Sequence, residues 1–515
     1  MSAPHEKGPV PGGRIIMGST GEPSNLIPPL ASDSASSDIN SHLYVAPLKY
    51  NKNIELVKWA AEEVQVKDGG KRIYIRLKPG IRWTDGEELT ADDALFTYEL
   101  MTDSRTPTAY AQDYLAIQEF NVLDRYSFEV IYEQPFARSM VTWAQPILPR
   151  HVLEEEDLTN TRYSRDPVTS GPYRLHRWNA GQQVILRANE DYFAPRPNID
   201  EIVYHIVPDL ATMFLELKSG KLDMSSLTPQ QYLFQTDGAY WQENFQKFSY
   251  LSSGYTYLGY NLQHPFFDDV RVRQALAHAV DKEEIIKGVL LGEGLPAVGP
   301  YRPDTWVFNE DIDDYAYDPD LALEMLNSLG WRKNNNGILE KDGVPFEFTI
   351  LTNQGNDLRI RTGTIIQYRL AKLGIKVDIR TVEWATFIKE FVHKGRFDAV
   401  LLAWNTAHDP DIYNVWHSSQ AVENGLNFVG YKNERVDELL EKGRRSFDRQ
   451  VRKKAYDELQ EILHHDQPYL FLFIPNALPV VHARFQGIKP EPAGIMYNFN
   501  EWWVPENRQR FSLQK

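Results

Sequence analysis

The chain has 515 residues, enough for about three domains, and its 42% hydrophobic and 24% charged content is that of an ordinary soluble globular protein. A net charge of -16 argues against nucleic acid, whose phosphates need a basic face, and the absence of cysteine excludes disulfides, thiolate metal sites and a cysteine nucleophile. No apolar run approaches the ~20 residues of a membrane-spanning helix.

Residues Met1 to Gly13 read as a flexible leader, and composition alone favours a cytoplasmic chain that never had an export signal. Arg14 to Gly18 is a short apolar strand, after which Gly21, Pro23, Pro28 and Pro29 impose a loop. The polar stretch Ser32 to Ser37 starts a helix that carries His42 to Leu48. Arg72 to Leu77 alternates as a strand, and Asp85-Gly86 turns the chain. Thr90 with Asp93 three residues on forms a capping box for a helix through Ala94, Leu95, Tyr98 and Met101. Two alternating runs between Val184 and Val207, divided around Pro195 and Pro197, are two strands of one sheet. A helix over Ala211 to Leu217 ends at Gly220, and a strand follows near Lys221 to Met224.

Asp269 to Val280 is a helix with Val272, Leu276, Ala279 and Val280 on one face. Asp281 with Glu284 caps the next, which stops at Gly292, and Asp318-Pro319 opens another that ends at Gly330. From Phe346 the pattern is strand (to Leu351), helix (Asp357 to Leu373), strand (Ile375 to Val382), helix (Trp384 to Lys394) and strand (Phe397 to Ala403). Gly374 and Gly395 stop the helices. Short joints in this order predict parallel strands with right-handed crossovers, and ligands of such sheets bind beyond the carboxyl ends of the strands. The loops leaving that edge are Thr352 to Asn356, Glu383-Trp384 and Trp404 to Asp411.

A binding cleft needs mostly apolar walls with a few convergent polar groups. Trp404 and Trp416 bracket the polar loop after the last strand, and Tyr255, Tyr257 and Tyr260 lie in a single short run. No G-x-S-x-G, H-E-x-x-H, P-loop or G-x-G-x-x-G motif is present. His464-His465-Asp466 reads as a helix end, because helix neighbours point in different directions. Asp311 to Asp314 lacks the features of a calcium loop and reads as solvated surface.

Three long phrases then give the chain a likeness. They are LKPGIRWTDGEELTADDALFTYEL (Leu77 to Leu100), TSGPYRLHRWNAGQQVILRANEDYF (Thr169 to Phe193) and NLQHPFFDDVRVRQALAHAVDKEEIIKGVLLGEGLPAVGP (Asn261 to Pro300). In that order, with Tyr317 to Trp331 and Leu426 to Leu440, the chain resembles the family-5 extracellular solute-binding proteins, the peptide and nickel receptors of bacterial ABC importers. The resemblance implies an α/β, two-lobe, type II periplasmic-binding-protein-like fold with mixed sheets and an extra inserted domain. The first lobe would be residues 1–45, 168–260 and 478–515, the inserted domain 46–167, and the second lobe 261–477. Hinges fall near 168–172, 258–262 and 476–480. It implies instead a mature form whose export signal has been removed. It further implies a periplasmic or otherwise extracytoplasmic monomer without a cofactor, which captures a solute by lobe closure and hands it to a membrane permease.

The solute class expected first is an oligopeptide; a metal chelate or a small oligosaccharide is the alternative, and a hydrolase acting on such a solute is a distant one. In peptide-binding relatives a tryptophan is followed three residues later by an aspartate that pairs with the peptide ammonium. Here that place is Ala407, so Asp409 or Asp411 substitutes or the ligand presents no ammonium there. The spacing of Trp404, His408, Asp409 and Pro410 is more like the nickel-chelate binders, yet the stretch Ala144-Gln145-Pro146-Ile147 lacks their arginines. The expected ligand-binding residues are Trp404, Asn405, His408, Asp409, Trp416, Asn353, Gln354, Tyr255 and Ser32.

Overall fold

A computed structural model describes residues 8–406 and 409–511. The chain divides into two units, one of Met1–Leu227, Gln235–Phe248 and Pro479–Lys515, the other of Thr228–Phe234 and Ser249–Leu478.

A seven-stranded mixed sheet organises the first unit, in the order Phe245–Lys247, Pro479–His482, Met224–Ser226, Arg14–Ser19, Glu201–Ile206, Gln183–Ala188 and Tyr173–Asn179. Arg14–Ser19 runs parallel to Glu201–Ile206, and the two alternating runs pair antiparallel with Leu186 opposite Ile202. A separate four-stranded antiparallel sheet combines Ala61–Lys67, Arg72–Leu77, Ser127–Tyr132 and Ile117–Asp124. The Ala91–Thr102 helix starts as its capping box requires: the Thr90 N–H donates to the Asp93 carboxylate at 2.8 Å. The helix expected to reach Leu48 instead ends at Leu43. Pro47 lies just beyond and cannot continue a helix, and Leu48–Tyr50 becomes a short strand.

The second unit is built on a sheet ordered Tyr250–Leu251, Tyr469–Ala477, Gly254–Tyr260, Ala399–Asn405, Glu347–Asn353 and Lys376–Val382, with Gly294–Pro296 added alongside Tyr469–Ala477. The expected parallel set is present. Glu347–Asn353 pairs in parallel with both Lys376–Val382 and Ala399–Asn405. Asn356 caps the Asp357–Leu373 helix, and Gly374 closes it at φ +97°, a left-handed conformation natural to glycine. Trp384–Thr386 begins the next helix, but Phe387–Val392 winds with π pitch. The sheet is buried on both faces. Leu258, Ile350 and Leu401 pack with Ile366 on one side, while Tyr257, Leu351, Val400 and Leu402 pack on the other.

Two expected boundaries move. Residues 249–260, assigned above to the first lobe, belong to the second unit, because Gly254–Tyr260 is an interior strand paired on both sides there. Residues 168–172 are no passage between units. They lie within the first, where the Gly171 N–H donates to the Leu43 carbonyl at 2.7 Å. The chain crosses at 248/249 and 478/479, the latter inside the expected 476–480 segment, and again around 228–234.

Candidate functional site

Parallel pairing brings the carboxyl ends of three strands, Asn353, Val382 and Asn405, to one edge of the second unit's sheet. The antiparallel Gly254–Tyr260 strand adds its first residues to that edge, Gly254 opposite Asn405 and Tyr255 opposite Trp404. Residue 254 has to be glycine. A Cβ there would stand 2.2 Å from the Trp404 carbonyl oxygen, far inside van der Waals contact.

Trp404 is half-buried. Its Nε1–H donates to the Tyr469 hydroxyl at 3.3 Å, and its ring stacks on Phe428 with centroids 5.9 Å apart. Tyr469 in turn lies flat on Tyr257, 3.9 Å between centroids. The indole is therefore held on two sides while part of it reaches solvent, the disposition of an aromatic platform that is amphipathic and rigid. Asn405 beside it is exposed.

Asn353 ends its strand with its Oδ1 accepting from Arg359 Nη1 at 2.7 Å, and the exposed Gln354 uses its backbone N–H on the Val382 carbonyl. Arg359 was not anticipated. It sits in the first turn of the Asp357–Leu373 helix, where the macrodipole disfavours a cation. It has no carboxylate within 4.0 Å among the described residues. Burial brings its guanidinium down to about 10, against which the nearby Tyr257 acts, so it remains charged at neutral pH. A cation set against the helix dipole was the signal available in the sequence: Arg359 follows Asn356 by three residues. At the middle loop, Glu383 caps the following turn by accepting from the Ala385 and Thr386 N–H groups, each at 2.9 Å.

Several expected site residues have other work. Trp416 is wholly buried, packed on Tyr469 at 4.5 Å and against Tyr431 and Phe471. It is core, not a ligand platform. Tyr255 is 3% exposed, within an interior strand and against Tyr257 and Phe471, so it supports the edge without facing solvent. Asp409 is held by Arg452, with both oxygens 3.0 Å from Nη2, and Asp411 by Arg444 at 3.0 Å. Neither carboxylate is a free substitute for the missing amine anchor. The Tyr301 hydroxyl donates to the Pro410 carbonyl at 2.5 Å and pins the loop between them. His408 and Ala407 lie outside the described residues. Ser32 belongs to the first unit, half-exposed and directly before the Asp33 cap of the Ser34–Leu43 helix.

The neighbouring histidines diverge: His464 Nε2 faces Asp314 at 3.7 Å, whereas His465 Nδ1 meets Asp466 at 3.0 Å. Asp314, expected as solvated surface, instead binds the nearly buried Lys282 at 2.7 Å. Among the described residues no helix is long and apolar enough to cross a membrane.

Comparison with known proteins gives a consistent picture. The model of bacterial extracellular solute-binding proteins, family 5, middle, matches residues 55–425. The oligopeptide-binding protein AppA of Bacillus subtilis (strain 168) is 33% identical over 506 residues, covering 96% of this chain and 92% of its own length. The structure of Bacillus subtilis AppA in complex with a nonapeptide superposes with a TM-score of 0.92 at 32% identity, covering 96% of this chain and 99% of that one. NikZ from Campylobacter jejuni in complex with Ni(L-His) is also similar, with a TM-score of 0.87 at 26% identity and coverage of 95% and 99%.

Proposed function

The chain belongs to the family-5 bacterial extracellular solute-binding proteins, and from that we propose that it is the substrate-binding receptor of an ABC importer with an oligopeptide as its solute. The observation that carries the peptide reading is the 33% identity to an oligopeptide-binding protein along nearly the whole chain. The strand edge of the second unit supports it. Trp404 offers an apolar face, and Arg359 a guanidinium whose fork suits a carboxylate. With Asp409 and Asp411 neutralised by arginines, the solute is gripped through an anionic group at Arg359. Burying its ammonium opposite no counter-ion would cost several kcal/mol.

In this reading the receptor acts outside the cytoplasm as a monomer, binds without chemical turnover, closes its two units on the solute and passes it to a membrane permease. Ligand favours the closed state to the extent that it contacts that state better. Residues 46–167 form a domain inserted in the first lobe, supported by the separate four-stranded sheet within them.

Native mass spectrometry of the freshly purified protein tests the proposal. Released species with a spread of peptide masses support it. A nickel-containing adduct of the kind bound by NikZ, or a sugar, would replace the peptide by that solute. Conversion of a bound solute into product would refute the receptor reading.

A further inference from the structure

A pocket of about 700 Å³ opens in the first unit, lined by the Lys49–Trp59 hairpin region, the loop Tyr192 to Asn198 and the C-terminal stretch around Trp503. None of the strand-edge residues of the second unit contributes to it. Its charge runs against the composition of the chain. The whole protein carries 71 acidic residues against 55 Lys and Arg, whereas this lining sets Lys49, Lys58, Lys78, Arg196 and Lys489 against Glu501 alone.

Two of the five cations are paired with carboxylates, and a third, Lys58, is held like Lys78 by a backbone carbonyl. Arg196 pairs with Glu190 and Asp200, each at 2.7 Å, Lys489 with Glu501 at 3.2 Å, and Lys58 donates to the Glu62 carbonyl at 2.8 Å. Lys49 and Lys78 have no carboxylate within ion-pair distance among the described residues. Lys78 donates only to the Trp59 carbonyl, at 2.8 Å, with its Nζ 5.3 Å from the Phe193 ring centre. The Lys49 Nζ stands 5.4 Å from the Trp59 ring centre. Burial and then the like charge of Lys78 hold the Lys49 ammonium below the usual lysine range, with Glu501 acting the other way. An anion between the two would offset that repulsion.

The apolar wall is preorganised. The Trp59 indole N–H donates to the Tyr192 hydroxyl at 2.9 Å, and Tyr192 meets Phe193 edge to face with centroids 4.9 Å apart. A concavity of this size, with fixed aromatic walls and a few converging charges, has the anatomy of a small-molecule site.

We infer that this pocket is a second ligand site, for a small organic anion whose carboxylate or phosphate bridges Lys49 and Lys78 while its flat apolar body lies on Trp59 and Phe193. It is independent of the solute site and of the reading given to it.

Calorimetric titration of the full chain with 1-naphthyl phosphate, 1-naphthol and inorganic phosphate tests this. The naphthyl phosphate is expected to bind one site, and the Lys49→Gln/Lys78→Gln variant to bind it about a hundredfold more weakly or worse, since a charge-assisted hydrogen bond is lost at each lysine. The Lys49→Gln single variant, at a side chain that makes no hydrogen bond among the described residues, decides the matter if the double variant fails to fold. It should lose about tenfold or more. Arg359→Gln should leave this binding unchanged. No binding of 1-naphthyl phosphate up to about 10 mM, or equal affinity in the Lys49→Gln protein, overturns the site. Inorganic phosphate binding as tightly as the naphthyl ester overturns the ligand class.

Discussion

The guanidinium of Arg444 stands 3.0 Å from the carboxylate of Asp411, and the two side chains are only 8% and 1% exposed. Arg444 also covers the Tyr413 ring, 4.1 Å from its centre. A charge pair this well buried anchors the chain at Asp411, and it has to remain whole. Arg444→Met strands a buried carboxylate and should cost about 3–5 kcal/mol of stability in denaturant unfolding. Arg444→Met combined with Asp411→Leu should recover much of that loss, because the uncompensated charge is gone. A single variant as stable as wild type would show that the pair does not anchor the chain there.

The two tryptophans that flank Asp411 should separate cleanly. Trp416→Ala empties a fully buried site and is expected to lower stability by about 3–5 kcal/mol. Trp404→Ala removes a half-buried ring; it should cost less stability but weaken solute binding by about 2 kcal/mol, as an aromatic anchor does. Unfolding curves and binding isotherms on both variants check this. Unchanged affinity in Trp404→Ala would take that residue out of the site.

Arg359→Gln should reduce affinity for a solute with a free carboxylate about tenfold or more, the worth of a charge-assisted hydrogen bond, and leave its amidated counterpart nearly unaffected. Burial has brought the guanidinium to about 10. Anion binding through it is therefore flat across neutral pH, where the guanidinium keeps its charge. A decline beginning near neutrality would assign the contact to another group.

His42 carries an acid-sensitive part of the stability. It is buried against Tyr173 and Phe499, with ring centroids 5.6 and 5.1 Å away, and burial pushes its imidazole from 6.5 down to about 4. The folded protein thus binds fewer protons than the unfolded chain between those values. Its contribution is complete above about pH 6.5 and is lost as pH falls toward 4, in all about 3 kcal/mol. Melting temperatures across this range should fall on acidification, and less steeply in His42→Phe. Equal slopes would exclude His42 as the source.

Much of the scaffold was legible because its signals are local. Asn356 before the Asp357–Leu373 helix and Gly374 after it are a cap and a left-handed stop that a short window contains. The parallel direction of the three strands followed from the short joints. What a window cannot contain is the partner. Asp409 and Asp411 looked like available carboxylates, yet their arginines lie 43 and 33 residues further on. Trp416 looked equivalent to Trp404, but Tyr431, Tyr469 and Phe471 close over it from distant segments. Tyr255 in GYTYLGY could have lined a cleft; only pairing on both sides places that strand in the interior. Arg359 escaped notice for the opposite reason. Its oddity was local, a cation in a helix's first turn, but Asn356 counted only as the end of the Thr352 to Asn356 loop.

The want of room beside Gly254 has a practical corollary. Since even a methyl group at this position would collide with the oxygen of Trp404, the strand tips form a fixed sill that substitution cannot widen without parting the ladder. On the proposed reading, re-engineering of solute preference accordingly belongs to the residues at the strand ends, Asn353, Gln354 and Asn405, and not to this glycine.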